Sequence, residues 1–243
     1  MRALLRDAAR TLVPPKGDRH GPLPPVLLAL TVVTGLVDAV SYLGLGHVFV
    51  ANMTGNVVFL GFALADAQGL SALASVVSLA AFLAGALAGG RFGVRFAGHR
   101  GRLLATAMTV QAVLFAGALG AVLTGHDDVG TAVGYPVIVF LGLAMGLQNA
   151  VARRLGVPDL TTTVLTLTLT GLAADSTAAG GPAPRPGRRI LSVAAMFLGA
   201  LTGALLLTGG LWPVLALALA LLVLGATAMW RLSTPDATWA APM

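Results

Sequence analysis

Six long apolar runs constrain this chain more than any other feature: 26–45, 72–90, 103–124, 131–152, 190–208 and 211–230. A helix needs about 20 apolar residues to cross the roughly 30 Å hydrocarbon core of a bilayer. Charged residues make up 10% of the sequence, against about 25% in a soluble domain, which is too little polar surface to cover a water-soluble globule. The chain is therefore read as an all-α integral membrane protein. Its 243 residues suit one compact bundle without a sizeable soluble domain.

Two further segments, 48–65 and 160–174, are shorter or more polar than the six. Arginine placement indicates whether they cross, because cytoplasmic loops collect Lys and Arg. If 48–65 crosses, the loop with Arg91, Arg95, Arg100 and Arg102 falls outside. If it enters and leaves on one side, that loop is inside, and the arginine-free loop with His126, Asp127 and Asp128 is outside. Arg153 and Arg154 then lie inside. If 160–174 also returns to its own side, so do Arg185, Arg188, Arg189 and Arg231. The expectation is six transmembrane helices plus two broken or re-entrant segments, multi-pass with both termini cytoplasmic. Tyr42, Tyr135, Trp212 and Trp230 lie near the span ends, where amphipathic rings anchor.

The formal charge of +6 is accounted for by these inner loops and does not call for nucleic acid. With no cysteine, disulfides and thiolate chemistry are excluded. The four histidines (His20, His47, His99 and His126) have no partner at metal-ligand spacing, so neither metal nor cofactor is expected. Residues 1–25 read as a basic cytoplasmic tail, 26–124 and 131–231 as two membrane repeats, and 232–243 as a short C-terminal tail.

The two halves echo one another. Gly35-Leu36-Val37-Asp38-Ala39-Val40 matches Gly146-Leu147-Gln148-Asn149-Ala150-Val151. A broken segment follows each: Asn52-Met53-Thr54-Gly55-Asn56 in one half and the threonine run from Thr161 to Thr166 in the other. Phe82 to Gly89 then resembles Phe197 to Gly203, with one gap. Each half reads as span, broken segment, span, span. Three crossings per half invert the second relative to the first, a common transporter plan in which discontinuous elements mark the binding site.

Asp38 is the acidic residue deep in a clear span, and the chain has no glutamate. Thr31, Thr34, Asp38 and Ser41 share one helix face. Asp38 reads either as a substrate or proton-linked carboxylate or as a buried acid satisfied by a helix end or by an arginine such as Arg153. Asn52, Thr54, Gly55 and Asn56 form a polar knot. Broken backbone at membrane depth is tolerated inside protein or beside a wet cavity, while the same side chains could simply satisfy the kink. Gln148, Asn149 and the threonines, Thr162 among them, form the counterpart. The candidate substrate-binding set is Asp38, Asn52, Thr54, Asn56, Gln148, Asn149 and Thr162, with no catalytic residue. The GxxxG pairs Gly85/Gly89, Gly142/Gly146 and Gly199/Gly203 predict close helix packing, within the bundle or in a homo-oligomer.

These same residues resemble the YoaK-type family of small bacterial inner-membrane proteins, which is defined by a domain of unknown function. The features are Gly35 with Asp38-Ala39, the run from Phe49 to Asn56, Gly146 to Ala150 with Arg153, and the threonines from Thr161. In the family the second half usually carries a Thr-Gly pair; here Leu167 follows Thr166, which shifts the second break towards Gly171 or softens it. The resemblance implies a multi-span membrane protein and brings no activity to transfer.

The expected function is a transporter or channel-like carrier for a small solute, in contact with the lipid bilayer, with its site between the repeats. The alternative is a non-transporting membrane protein that interacts, senses or stabilises. An enzyme is not expected. The sequence has no His-Glu-x-x-His helix and no Gly-x-Ser-x-Gly elbow. It also has no second membrane carboxylate to pair with Asp38.

Overall fold

A computed structural model describes residues 2–125, 131–163, 165–234 and 237–241. The loop holding His126, Asp127 and Asp128 lies outside the described residues. Among those described, the helices are α1 (Arg2–Leu12), α2 (Leu23–Gly44), α3 (Met53–Leu64), α4 (Ala72–Arg95) and α5 (Arg100–Thr124) in the first half. The second half holds α6 (Thr131–Leu155), α7 (Leu165–Ala174), α8 (Pro186–Leu206) and α9 (Leu211–Leu232). No strand occurs among the described residues.

Six helices, α2, α4, α5, α6, α8 and α9, are apolar and long enough to cross a membrane, with spans of 22 to 25 residues. The helix at α7 resolves the strand-like alternation of Thr166, Thr168 and Thr170, as an isolated strand would leave its backbone unsatisfied in lipid. At 1.5 Å per residue, the 12 residues of α3 and the 10 of α7 extend about 18 and 15 Å. Each helix covers roughly half of the hydrocarbon core. The second break precedes α7: Gly156, Asp159 and Thr162 have positive φ, and the helix then runs unbroken through Gly171.

The helices outrun the apolar runs for local reasons. Helix α2 begins at Leu23 with prolines in its first turn, where a missing N–H leaves no bond unmade. Helix α4 ends on Arg95, and α6 carries Arg153 and Arg154 in its last turn, where cations suit the helix dipole. Residues 2–12 are not a loose tail. They form a helix docked on α8, whose Arg188 amide donates to Asp7 Oδ2 at 3.0 Å.

Helices α2 and α6 are the most buried of the long helices, with 72% and 61% of their apolar windows inside the protein. Helix α2 packs on α8 and α9, α6 packs on α4 and α5, and α5 packs on α9. Two crossings are too close for any side chain. A Cβ on Gly146 would land on the Phe82 carbonyl oxygen of α4, and one on Gly35 would land on the Met196 carbonyl oxygen of α8. The facing glycines, Gly85 on α4 and Gly199 on α8, meet the backbones of Leu143 and Val32 in the same way. The GxxxG faces are thus consumed inside the chain, and the expectation that they join two copies loses its surface.

Candidate functional site

Each broken segment turns back into the bundle and meets a polar residue on the long helix before it. Asp38 and Asn149 each stand six residues before the end of their helix (Gly44 and Leu155), about 9 Å along its axis. After α2 the chain returns so that the Ala51 amide faces the Asp38 carboxylate. After α6 it returns so that the Thr163 hydroxyl donates to Asn149 Oδ1, while Asn149 Nδ2 donates to the Met145 carbonyl at 2.9 Å.

The helices that follow these returns open on a common space. A cavity of about 700 Å³ is lined by the N-terminal turns of α3 and α7, with Asn149 of α6, Phe82 of α4 and Met196 of α8. Its polar side chains are Asn52, Thr54, Asn149, Thr163 and Thr166. Asn52 opens α3 and makes no side-chain cap, so its amide remains available to the cavity. Phe59, Phe82, Met53 and Met196 supply apolar wall.

Of the seven candidates read from sequence, Asn52, Thr54 and Asn149 line this cavity. Asp38 lies behind it. It is 7% exposed, its Oδ1 has no hydrogen-bond partner, and no described residue pairs with it as an ion. Arg153 is exposed at the end of α6 and does not serve it. Asn56 is spent on structure. Its Oδ1 accepts from the Phe49 amide at 2.8 Å, and its Nδ2 donates to the Phe49 carbonyl at 2.5 Å and to Ser78 Oγ at 3.1 Å. Ser78 Oγ donates to the same carbonyl at 2.6 Å. This clamp holds the returning segment against α3 and α4.

Gln148 also faces a helix contact rather than the cavity. Its Nε2 donates to Thr34 Oγ1 at 2.9 Å, and its Oε1 accepts from Gln111 Nε2 at 2.9 Å, so that α2, α6 and α5 share one buried chain of polar groups. Such bonds contribute about 0.6 kcal/mol each between membrane helices. Thr31 and Thr34 bond their own helix carbonyls, of Leu27 and Leu30, at 2.9 and 3.0 Å. Thr162 is buried, has a φ of 65°, and its hydroxyl has no partner. A β-branched residue in the left-handed region is strained, and the neighbouring Thr163, not Thr162, reaches the cavity.

Sequence reasoning missed Gln111, Ser78, Phe82 and Met196. Gln111 is the amide within α5, and that isolation was its signal. Ser78 and the two apolar residues carry no signal of their own, since only packing brings them to this place.

The approach to α7 is held by charge. Asp159 accepts from Arg185 Nε at 2.8 Å and from Arg189 Nε at 3.0 Å, and Arg189 reaches Asp175 at 2.8 Å. Arg189 also donates to the Gly171 carbonyl of α7. Burial pushes the Asp159 carboxyl up, but hydrogen bonds from the two arginines and their charges outweigh it and hold the group below the ordinary carboxylate range. Near the start of α2, His20 sits between Arg19 and Arg100 at 3.0 and 3.2 Å. Burial first, then the charges of Arg100, Arg19 and Arg188, push its pKa down to about 4. Arg100 Nη2 also donates to the Leu155 carbonyl at 2.8 Å, capping α6. Among the described residues no group of three His or Asp side chains could hold a metal ion.

The profile of the family described as "protein of unknown function (DUF1275)" matches residues 26–229, and the chain belongs to that family. The UPF0700 transmembrane protein YoaK of Bacillus subtilis (strain 168) is 31% identical over 156 residues, which is 62% of this chain and 65% of that protein. The match thus spans just under two thirds of the curated relative's length. No solved structure matches the chain.

Proposed function

We propose that this member of the DUF1275 family is a carrier for a small solute, built as an inverted repeat with its site between the halves. The observation that carries the reading is the cavity of about 700 Å³ between the two broken segments. Such a volume is that of a ligand pocket, and in transporters such pockets lie where discontinuous helices meet.

The packing supports the repeat. Exchanging α2–α5 for α6–α9 turns the α4–α6 contact into α8–α2, α5–α6 into α9–α2, α3–α4 into α7–α8, and α5–α9 into itself. The correspondence extends to residues. Gly146 against Phe82 and Ala86 repeats as Gly35 against Met196 and Ala200, and Gly89 against Leu147 and Ala150 repeats as Gly203 against Leu36 and Ala39. In this register Phe82 corresponds to Met196, Asn52 to Thr163, and Asp38 to Asn149, and no gap is needed in the third match.

In this reading both termini are cytoplasmic, the inner-membrane loops rich in arginine face inward, and α3 and α7 enter from opposite sides. Asn52, Thr54, Asn149, Thr163 and Thr166 hold the solute. Asp38 meets the α3 return through Ala51, so movement of that backbone changes its surroundings, and it is the coupling group. No catalysis is assigned.

Flux in proteoliposomes across a broad panel of solutes and ions tests the proposal. We expect saturable flux of at least one compound, reduced by Thr163→Val and uncoupled from a proton gradient by Asp38→Asn. A folded, reconstituted protein that moves nothing in the panel would overturn it.

A further inference from the structure

The chemistry of the cavity wall narrows its occupant. No described residue lining the cavity carries a charge: the polar groups are two carboxamides, Asn52 and Asn149, and three hydroxyls, Thr54, Thr163 and Thr166. Carboxamides and hydroxyls both donate and accept. They satisfy a neutral solute whose rim bears donors and acceptors together. The apolar remainder of the wall, with Phe59, Phe82, Met53 and Met196, matches a carbon face. A full charge entering such a space loses its water and gains no counter-charge, at a cost of several kcal/mol.

The helix geometry first suggests a different occupant, since two helix N-termini border the cavity and such ends attract anions. Each end instead lies beside a group that disfavours an anion. At α3 the amide just ahead of Asn52, that of Ala51, faces the Asp38 carboxylate. At α7 the Thr163 hydroxyl is given to Asn149 Oδ1. An arriving anion would meet an acid behind the first end and an oxygen acceptor at the second. A cation fares no better, because the one nearby carboxylate, Asp38, is buried behind Ala51 and is not part of the wall.

We infer that the cavity selects an uncharged organic solute that presents a hydrogen-bonding rim and an apolar face, and discriminates against both ions of the same size. This rests on the carrier reading above and gives its substrate class.

The test uses three pairs of probes that differ chiefly in charge: uracil with orotate, glucose with glucuronate, and benzamide with benzamidinium. Entry into proteoliposomes, less entry into protein-free liposomes of the same lipid, is followed with the potential clamped by valinomycin and equal K⁺ on both sides. Neutral members should enter at least tenfold faster than their charged partners in every pair that moves. Asn149→Asp then places a carboxylate in the wall, keeping the oxygen that accepts from Thr163 and giving up the donor to the Met145 carbonyl. In this variant benzamidinium should gain on benzamide by at least tenfold.

A charged probe that outruns its neutral partner in the unaltered protein overturns the substrate class and leaves the carrier reading standing. Silence from all six probes overturns the class as well, and the carrier reading falls only if the broad panel is silent too. Asn149→Asp that leaves the benzamide to benzamidinium ratio unchanged, in a variant with unaltered thermal stability, removes this cavity as the selecting site.

Discussion

Replacing Asn56 separates a residue that builds the site from one that lines the cavity. In Asn56→Ala the Phe49 amide loses its acceptor, and an orphaned buried donor costs about 1–3 kcal/mol. The Phe49 carbonyl keeps the Ser78 hydroxyl at 2.6 Å, so little is added there. Removing a fully buried side chain (0% exposed) adds a small cavity, which brings the expected loss to about 2–4 kcal/mol. For a chain of this size 1 kcal/mol shifts Tm by roughly 2–4 °C, so thermal unfolding in detergent should begin about 4–16 °C lower. Asn56→Asp should be no better, since its second oxygen would face the Phe49 carbonyl in place of a donor.

The control is Asn52→Ala. Asn52 lines the cavity and makes no cap bond to α3, so its loss should change stability by less than about 0.5 kcal/mol while weakening flux. A stable Asn56→Ala that fails to move solute, paired with a destabilised Asn52→Ala that moves it normally, would refute the division of roles drawn from the hydrogen bonds.

Other expectations follow from the close crossings, the buried histidine and the sidedness. Gly146→Ala drives a methyl into the Phe82 carbonyl and should cost about 1–3 kcal/mol, whereas Gly61→Ala, with nothing within 4 Å of the added carbon, should be neutral or stabilising in a thermal melt. His20 has its pKa lowered to about 4, so the folded protein resists the proton that the unfolded chain takes up near pH 6.5. Stability near that residue therefore falls as pH drops from about 6.5 towards 4. Among the charged groups facing His20, only Asp18 favours the proton, and Arg19, Arg100 and Arg188 oppose it. Trp239 packs on Gly21, so its fluorescence, in a background with Trp212 and Trp230 replaced by Phe, should report the change, and His20→Gln should abolish it. With no native cysteine, Gln68→Cys should label from outside in whole cells and Ala178→Cys only after the membrane is opened. Labelling of Gln68→Cys from the cytoplasm alone would sink the proposed topology.

The six span-length helices were legible because bilayer thickness imposes one length on every crossing, and the two short helices were legible because Asn, Thr and Gly interrupted apolar segments. What could not be read was which polar residue faces which space. Asn52 and Asn56 stand four apart in one knot, yet one opens a helix beside the cavity and the other ties down Phe49. That distinction depends on where the 46–52 return lies, which only packing against Ser78 of α4 fixes. Thr162 and Thr163 are adjacent and chemically identical, and the positive φ of Thr162 decides which of them reaches Asn149. The GxxxG pairs were legible as close contacts, but a glycine stripe does not state whether its partner lies in the same chain.

The two broken elements are held by different physics, and this predicts which one yields first. The return before α3 is held by uncharged groups: an amide, a backbone and Ser78, which is fully buried. Salt does not screen such bonds, and their loss leaves buried donors unpaired. The return before α7 is held by Arg185 and Arg189 on Asp159, with Arg189 also on Asp175, whose side chain is 44% exposed. The Arg185–Asp159 and Arg189–Asp175 pairs reach solvent, contribute only about 0–1 kcal/mol each and weaken as salt rises, whereas the Arg189–Asp159 pair, with side chains 11% and 14% exposed, is screened less. Below the Asp159 pKa, itself held under the ordinary carboxylate value, that group's contribution is lost on protonation. The stability it adds is present above about pH 4 and disappears as pH falls through the lower, folded value. Amide hydrogen exchange should therefore be faster in residues 165–174 than in 53–64. Raising salt from 0.05 to 1 M should widen the gap, and Arg189→Gln should reduce its salt dependence, leaving the part carried by Arg185 on Asp159. Equal protection of the two helices at every salt concentration would show that the arginines on Asp159 do not hold α7 in place.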